Sequence, residues 1–299
     1  MKKPLQTSVI GSYPVQIEPM GIMQGYFKEK EVSWEPYIKK AVSDMLSAGI
    51  SMVSDGQTRD PFIQLFTRRL GGCRIRDRTE IIGPVEYHGP ITVDDQQFVK
   101  HLLPRKNRLL GVLTGPFTLM KSSVDVFYHD EKKLCFDFAS ALRQEADALQ
   151  KHVDMISVDE PFFSNELPEY AEELLEVITK QLSCPVRLHV CGDVTRIVPR
   201  LVDMPVDVLS HEFKASARLL DVFKGYPSSK NICLGSVRSD DTCLESVDDI
   251  VTHINKAYDI FGEHLVQIAP DCGQRMLPPE VAYQKLHHLA LAGGIINGR

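Results

Sequence analysis

Short apolar runs recur along this chain, each followed by a stretch whose apolar positions return at intervals of three and four. The runs read as buried strands and the stretches between them as amphipathic helices. Strands are expected at 7–14, 52–57, 109–116, 155–161, 186–193, 206–212, 231–236 and 265–273. Helices are expected over 35–48, where Tyr37, Ile38, Ala41, Met45 and Leu46 share a face and Gly49 ends the run, and over 131–152 and 166–182. Asp60-Pro61 reads as the N-cap and first turn of another helix, Pro199 to Pro205 as the turn before the sixth strand, and Pro278-Pro279-Glu280 as the start of the last helix. Residues 74–92 break the alternation: turn signals around Gly83-Pro84 and Gly89-Pro90 mark an inserted hairpin too short to bury a core of its own.

Eight strand and helix units in one chain are the order of a (β/α)8 TIM barrel, here a single domain over 1–299. A doubly wound open sheet would separate the first and last strands, yet both end in polar, site-like residues. Composition agrees: 43% hydrophobic and 25% charged residues suit a globular chain with a sizeable core. A net charge of -6 without a long basic run argues against nucleic acid or an anionic membrane as partner. Seven scattered cysteines suggest a reducing compartment rather than a disulfide framework. Met1-Lys2-Lys3 precedes Pro4 and not an apolar segment, and no run is long enough to span a bilayer, so the expected location is cytoplasmic.

The chemistry gathers at the carboxyl ends of the predicted strands. His189 and Cys191 lie two apart on the fifth, so imidazole and thiolate face the same way. Glu212 and Cys272 end the sixth and eighth strands, and in a closed barrel the four would surround one zinc ion as an N, S, O, S set. A thiol bound to zinc is deprotonated near neutral pH and becomes a nucleophile. His211, beside Glu212, competes as a ligand but points to the opposite face of a continuous strand. At the first strand, the Gly11-Ser12 turn lets backbone amides approach a ligand.

Ile10-Gly11-Ser12-Tyr13-Pro14, Leu113-Thr114-Gly115-Pro116, Val158-Asp159-Glu160-Pro161, Leu188-His189-Val190-Cys191 and Pro270-Asp271-Cys272-Gly273 resemble, in order, the motifs of the catalytic domain of cobalamin-independent methionine synthase. The resemblance spans nearly the whole chain and is strongest to the short, single-barrel forms of archaea and some bacteria. It implies zinc held by His189, Cys191, Glu212 and Cys272, with the thiol of homocysteine as attacking group. It also implies that Ile10 and Ser12, around Gly11, hold the amino acid's carboxylate and that Asp159 takes its ammonium.

Two departures bear on substrate and donor. Where the long enzymes carry a glutamate that contacts the substrate amine, this chain has Gly56-Gln57, and an amide contributes no charge attraction. A related thiol such as coenzyme M, which lacks an ammonium, would tolerate that change. After the seventh strand the chain reads Gly235-Ser236-Val237-Arg238-Ser239-Asp240-Asp241, without the histidine that protonates a departing folate nitrogen. Cobalt(I) leaves a methylcorrinoid without a proton, which favours methylcobalamin or a methylated corrinoid protein as donor over a methylated folate or pterin. The expected enzyme is therefore a zinc-dependent homocysteine methyltransferase that forms methionine.

Other acidic and basic pairs carry less. Asp159 and Glu160 are adjacent on a strand end and point apart, unlike the carboxylates of a glycosidase. Asp55 and Arg59 flank Gln57 and could orient it, though such spacing more often marks a solvated pair, and His287-His288 read as packing or surface residues of the last helix. Asp271 is expected either to receive a ligand's hydrogen bond or to fix its loop.

Overall fold

Eight parallel strands form one sheet in the computed structural model, which describes residues 4–17 and 33–298. In chain order the strands are β1 (Gln6–Thr7), β2 (Met52–Val53), β3 (Leu70–Ile75), β4 (Thr79–Tyr87), β5 (Arg108–Thr114), β6 (Ser123–Asp125), β7 (Met155–Asp159), β8 (Val186–Val190), β9 (Val208–His211), β10 (Asn231–Val237) and β11 (Leu265–Pro270). The sheet runs β1-β11-β10-β9-β8-β7-β5-β2, and a parallel bridge from Ser8 to Met52 brings its two ends together. The closed circuit is the TIM barrel expected from the pattern, and it excludes the open sheet. Met1, Lys2 and Lys3, on which the leader reading rests, lie outside the described residues, and no described helix is long and apolar enough to cross a membrane.

The helices cover the outside: α1 (Glu35–Ser47), α2 (Phe62–Thr67), α3 (Val93–Leu102), α4 (Pro116–Lys121), α5 (Glu131–Leu149), α6 (Ala171–Thr179), α7 (Val198–Leu201), α8 (Leu219–Lys224), α9 (Val247–Phe261) and α10 (Pro279–Ile296). α1 buries Ile38, Ala41, Val42 and Met45, the face its periodicity marks, and Gly49 follows it at φ 96°. The main core lies between this shell and the outer faces of the strands. A smaller apolar cluster of Ile10, Met52, Leu110, Val112, Met155, Val208, Cys233 and Ala269 fills the barrel.

Local departures from the expected pattern have identifiable causes. The strands stop earlier than their apolar runs because the site turns begin inside them: β2 ends at Val53, and Gly56 and Gln57 then take left-handed φ of 74° and 46°. Asp60 caps no helix; Pro61 precedes α2, while Asp60 faces Arg68 and Arg69. Pro199 sits in the first turn of α7, where its missing N–H costs nothing, instead of in a turn. α6 begins only at Ala171, after Pro168. The inserted hairpin pairs Leu70↔Tyr87 through Ile75↔Thr79 and takes β6 as a third, parallel strand, so it starts before residue 74 and ends before residue 92.

Candidate metal centre

β8 places Arg187 and His189 on the inward face, and Cys191 follows at the strand's end. A ring nitrogen of His189 and the sulfurs of Cys191 and Cys272 all lie within 4.8 Å of one another. His189 is held by its other nitrogen: Nδ1 lies 3.2 Å from Ser210 Oγ on the neighbouring β9, which leaves Nε2 buried and without a protein partner. Burial, the Arg187 guanidinium and His211 push its pKa far below the ordinary histidine value, so the ring is neutral. A neutral imidazole with an orphaned, inward-facing nitrogen beside two thiols is a donor set that suits a thiophilic divalent cation.

The sequence grouped four ligands, and the structure brings three of them together. Glu212, beyond the end of β9, stands beside the cluster: Gly192 N–H donates to its carboxylate, and burial with Asp240 raises its pKa against the opposing Arg238. Cys272 is held protonated by its hydrogen bond with Cys191, by burial and by Glu212, a balance that a bound cation reverses. Its backbone is braced by Ser239, whose hydroxyl donates to Cys272 O at 2.7 Å and accepts from Cys272 N at 3.1 Å. His211 lies on the opposite face, with Nδ1 on Val190 O and its ring against Phe213 and Phe223. It takes no part in the cluster, as strand alternation requires. All seven cysteines are free.

The rest of the mouth is built by β1, β2, β7 and the loop after β11. Ile10 lines the barrel interior, and the Gly11 carbonyl accepts from Ser54 Oγ at 2.6 Å. A Cβ on Gly11 would lie 2.7 Å from Gln57 Oε1, so the glycine leaves the Gln57 amide its place against the end of β1. Ser12 O accepts from Gln274 N at 2.8 Å, and Ser12 Oγ would lie 2.3 Å from a Cβ on Gly273. Gln57 is held by its backbone: its N–H donates to Asp55 Oδ1 at 3.1 Å and its carbonyl accepts from Arg275.

Asp159 and Glu160 do diverge. Asp159 is half-buried and accepts from Ser157 Oγ at 2.7 Å; burial raises its pKa to about 6 against the pull of Arg187 and Ser157. Glu160 is fully buried and accepts from Phe117 N, Thr118 N and Thr118 Oγ1, a structural carboxylate that ties β7 to α4.

Other expectations change. Asp55 is buried and accepts from the Gln57 N–H while Arg59 pairs with Asp95 on α3, so they are not a solvated pair and, of the two, Asp55 alone holds Gln57. Asp271 accepts from Lys214 N and Ala215 N at 3.0 and 2.7 Å, which fixes the loop after β9. His287 and His288 bond to the carbonyls of Ala48 and Glu245. The sequence reading passed over Arg187, Ser157, Ser210 and Ser239. The first three were signalled by the period of two, since each lies two positions from a site residue on the same strand face. Ser239 had no such signal.

The profile of the family described as cobalamin-independent synthase, catalytic domain, matches residues 5–294. The chain belongs to this family. It is similar to the methionine synthase of Methanocaldococcus jannaschii, 32% identical over 97% of this chain and 99% of that protein. The methionine synthase of Methanothermobacter marburgensis is 33% identical over 96% and 98% of the two chains. A solved B12-independent methionine synthase from Shewanella sp. W3-18-1, in complex with selenomethionine, superposes with a TM-score of 0.83 at 23% identity over 99% of this chain and 98% of that one, which shows the shared fold. As a cobalamin-independent synthase catalytic domain, the chain is an enzyme of the methyltransferase class.

Proposed function

We propose that this protein is a methionine synthase that transfers a methyl group to the thiol of L-homocysteine, with zinc held by His189, Cys191 and Cys272 and with Glu212 as the fourth ligand. The observation that carries the reading is the orphaned Nε2 of His189 beside two thiols at the barrel mouth. The names of the archaeal relatives supply the amino-acid product. Zinc, when bound, keeps the substrate sulfur as thiolate near neutral pH. The chain's own residues do the rest. Ser210 fixes the tautomer and direction of His189, and Ser239 fixes the backbone of Cys272. Asp159 receives the substrate's ammonium, the backbone around Gly11 and Ser12 its carboxylate, and the Gln57 amide lies beside Gly11 at the same end. The sulfur then forms its bond to the methyl carbon as the donor departs with the electron pair. We read 1–299 as one domain in which the hairpin is an insertion.

For the donor we propose methylcobalamin or a methylated corrinoid protein. The family's description does not support this choice. What supports it is the loop after β10, where Arg238 pairs with Asp240 and the carboxyls of Asp240 and Asp241 are held below their ordinary range by Arg238 and the Cys243 N–H respectively. These carboxylates are ionised and offer no proton to a leaving nitrogen, and a cobalt leaving group needs none. Gln57 favours a second reading of the acceptor: without a charge there, a thiol lacking an ammonium, such as coenzyme M, would also fit.

One parallel assay tests these points. Zinc-loaded protein is given homocysteine or coenzyme M with methylcobalamin or a methylated pterin. Turnover of homocysteine with methylcobalamin is expected, and Cys272→Ala should lose both zinc and turnover. Efficient use of the pterin alone would overturn the donor, binding of coenzyme M but not homocysteine would overturn the acceptor, and absence of zinc after resupply would overturn the metal.

A further inference from the structure

Arg187 is among the largest fully buried side chains of the described residues, and it lies inside the barrel beside the apolar cluster that fills it. Its guanidinium spends every donor on three other strand segments. Nε donates to Ser157 Oγ on β7 at 3.2 Å; Nη1 meets Ser8 Oγ at 3.3 Å and Cys233 Sγ on β10 at 3.7 Å. Nη2 donates to the carbonyls of Val9 and Ile10 at 3.0 and 3.1 Å. Burying a cation is costly, and an apolar side chain of similar volume would fill the space without that cost. The direction of these bonds accounts for the choice. Val9 and Ile10 immediately precede Gly11-Ser12, and Ser157 in turn donates to Asp159 Oδ1 at 2.7 Å. One side chain thus grips both segments that receive the amino-acid end of the substrate. The metal ligand His189, two residues on, takes its own hydrogen bond from Ser210 and none from the guanidinium.

We propose that Arg187 is a positioning residue for substrate recognition: it fixes the backbone leading into Gly11-Ser12 and, through Ser157, aims the Asp159 carboxylate at the ammonium. This rests on the assignment of homocysteine to the site. The consequence is a separation of functions, in which removing Arg187 or Ser157 weakens recognition of the amino-acid end and leaves metal binding intact.

The test uses calorimetric binding of homocysteine and of propanethiol, which has neither ammonium nor carboxylate, to the zinc-loaded full chain, with zinc stoichiometry measured alongside. Ser157→Ala should weaken homocysteine about tenfold, the worth of one hydrogen bond to a charged group. Arg187→Met should weaken it further, and Arg187→Lys should fall between Arg187→Met and wild type because a point charge cannot reach both arms. Propanethiol affinity and zinc content should stay within twofold of wild type. In an Asp159→Asn background, Ser157→Ala should add less than twofold. If Arg187→Met fails to fold, the Ser157→Ala arms decide alone. Equal losses for both thiols, loss of zinc, or unchanged homocysteine affinity in Ser157→Ala would overturn the proposal. Unchanged homocysteine binding in Asp159→Asn overturns instead the assignment of the substrate, whereas weakening by Asp159→Asn with a silent Ser157→Ala overturns only the role of Arg187.

Discussion

Replacing Gln57 by glutamate changes one atom's chemistry at a position whose surroundings are fixed. Its backbone is held on both sides, by Asp55 Oδ1 at 3.1 Å and by the Arg275 guanidinium on its carbonyl, so Gln57→Glu keeps the side chain where it is, with one oxygen still against Gly11. A hydrogen bond from an ammonium to a carboxylate is worth about 1–1.5 kcal/mol more than one to an amide, so the substitution offers homocysteine about tenfold. Two features reduce the gain. The position is only 5% exposed, so the new carboxylate is partly desolvated, and Asp55 lies beneath it. Burial raises the Asp55 carboxyl above its ordinary range, and the Arg275 guanidinium offsets part of its repulsion. The net expectation is a KM for homocysteine lowered about fivefold at pH 8 with kcat little changed, because the contact is made equally in ground and transition states. Coenzyme M, which brings a sulfonate instead of an ammonium, should bind more weakly by a similar factor. Initial rates over a range of each thiol at saturating donor measure both. An unchanged KM for homocysteine, or tighter coenzyme M, would refute the placement of the substrate's ammonium beside residue 57.

Three further outcomes are expected. Ser210→Ala removes the hydroxyl that orients His189, and zinc affinity measured by competition with a chelating dye should fall about tenfold while the fold is retained. Gly115→Ala would place a Cβ 2.1 Å from Glu160 Cδ, in a carboxylate that already uses three donors, so thermal denaturation should show a loss of at least about 3 kcal/mol or no soluble protein; a melting temperature within a few degrees of wild type would contradict the packing. Burial and Asp55 raise the Asp95 carboxyl to about 6 in the folded protein against the pull of Arg59. The stability this group contributes is therefore fully present below its ordinary range near pH 4 and is lost as pH rises through 6. Melting temperatures taken from pH 4 to 8 should fall less steeply in Asp95→Asn than in wild type, and parallel curves would assign the slope to other groups.

Much of the fold was legible because each strand of a closed barrel is buried on both faces, so it announces itself as an apolar run whatever its neighbours are. Helices such as α3 and α9 were given no range, and other elements were missed because their placement depends on distant partners. β6 is three residues long and exists only because Thr79–Ile81 offers an edge, and α7 forms around Pro199 where a turn was equally consistent with the local sequence. Asp55 was as consistent with a solvated pair as with a role beside Gln57 until Gln96 of α3 and Arg275 were brought against it. Site residues were legible to the extent that they carry unusual side chains at strand ends, as His189, Cys191 and Cys272 do. Glu212 carries a ligand-type side chain after β9 and acts on Cys272 from beside the three-residue cluster.

The sequence by itself determined the alternation of strands and helices, the face on which Arg187, His189 and Cys191 lie, and the kinds of atom available for a metal, because periodicity and side-chain chemistry are local properties. Only the tertiary structure decided which of those atoms meet. Closing the sheet between Ser8 and Met52 brings the ends of β1, β8 and β11 to one mouth, and it buries a guanidinium where its donors reach three strand segments at once. Distances between residues far apart in the chain follow from strand order and register, and neither is written in any one segment.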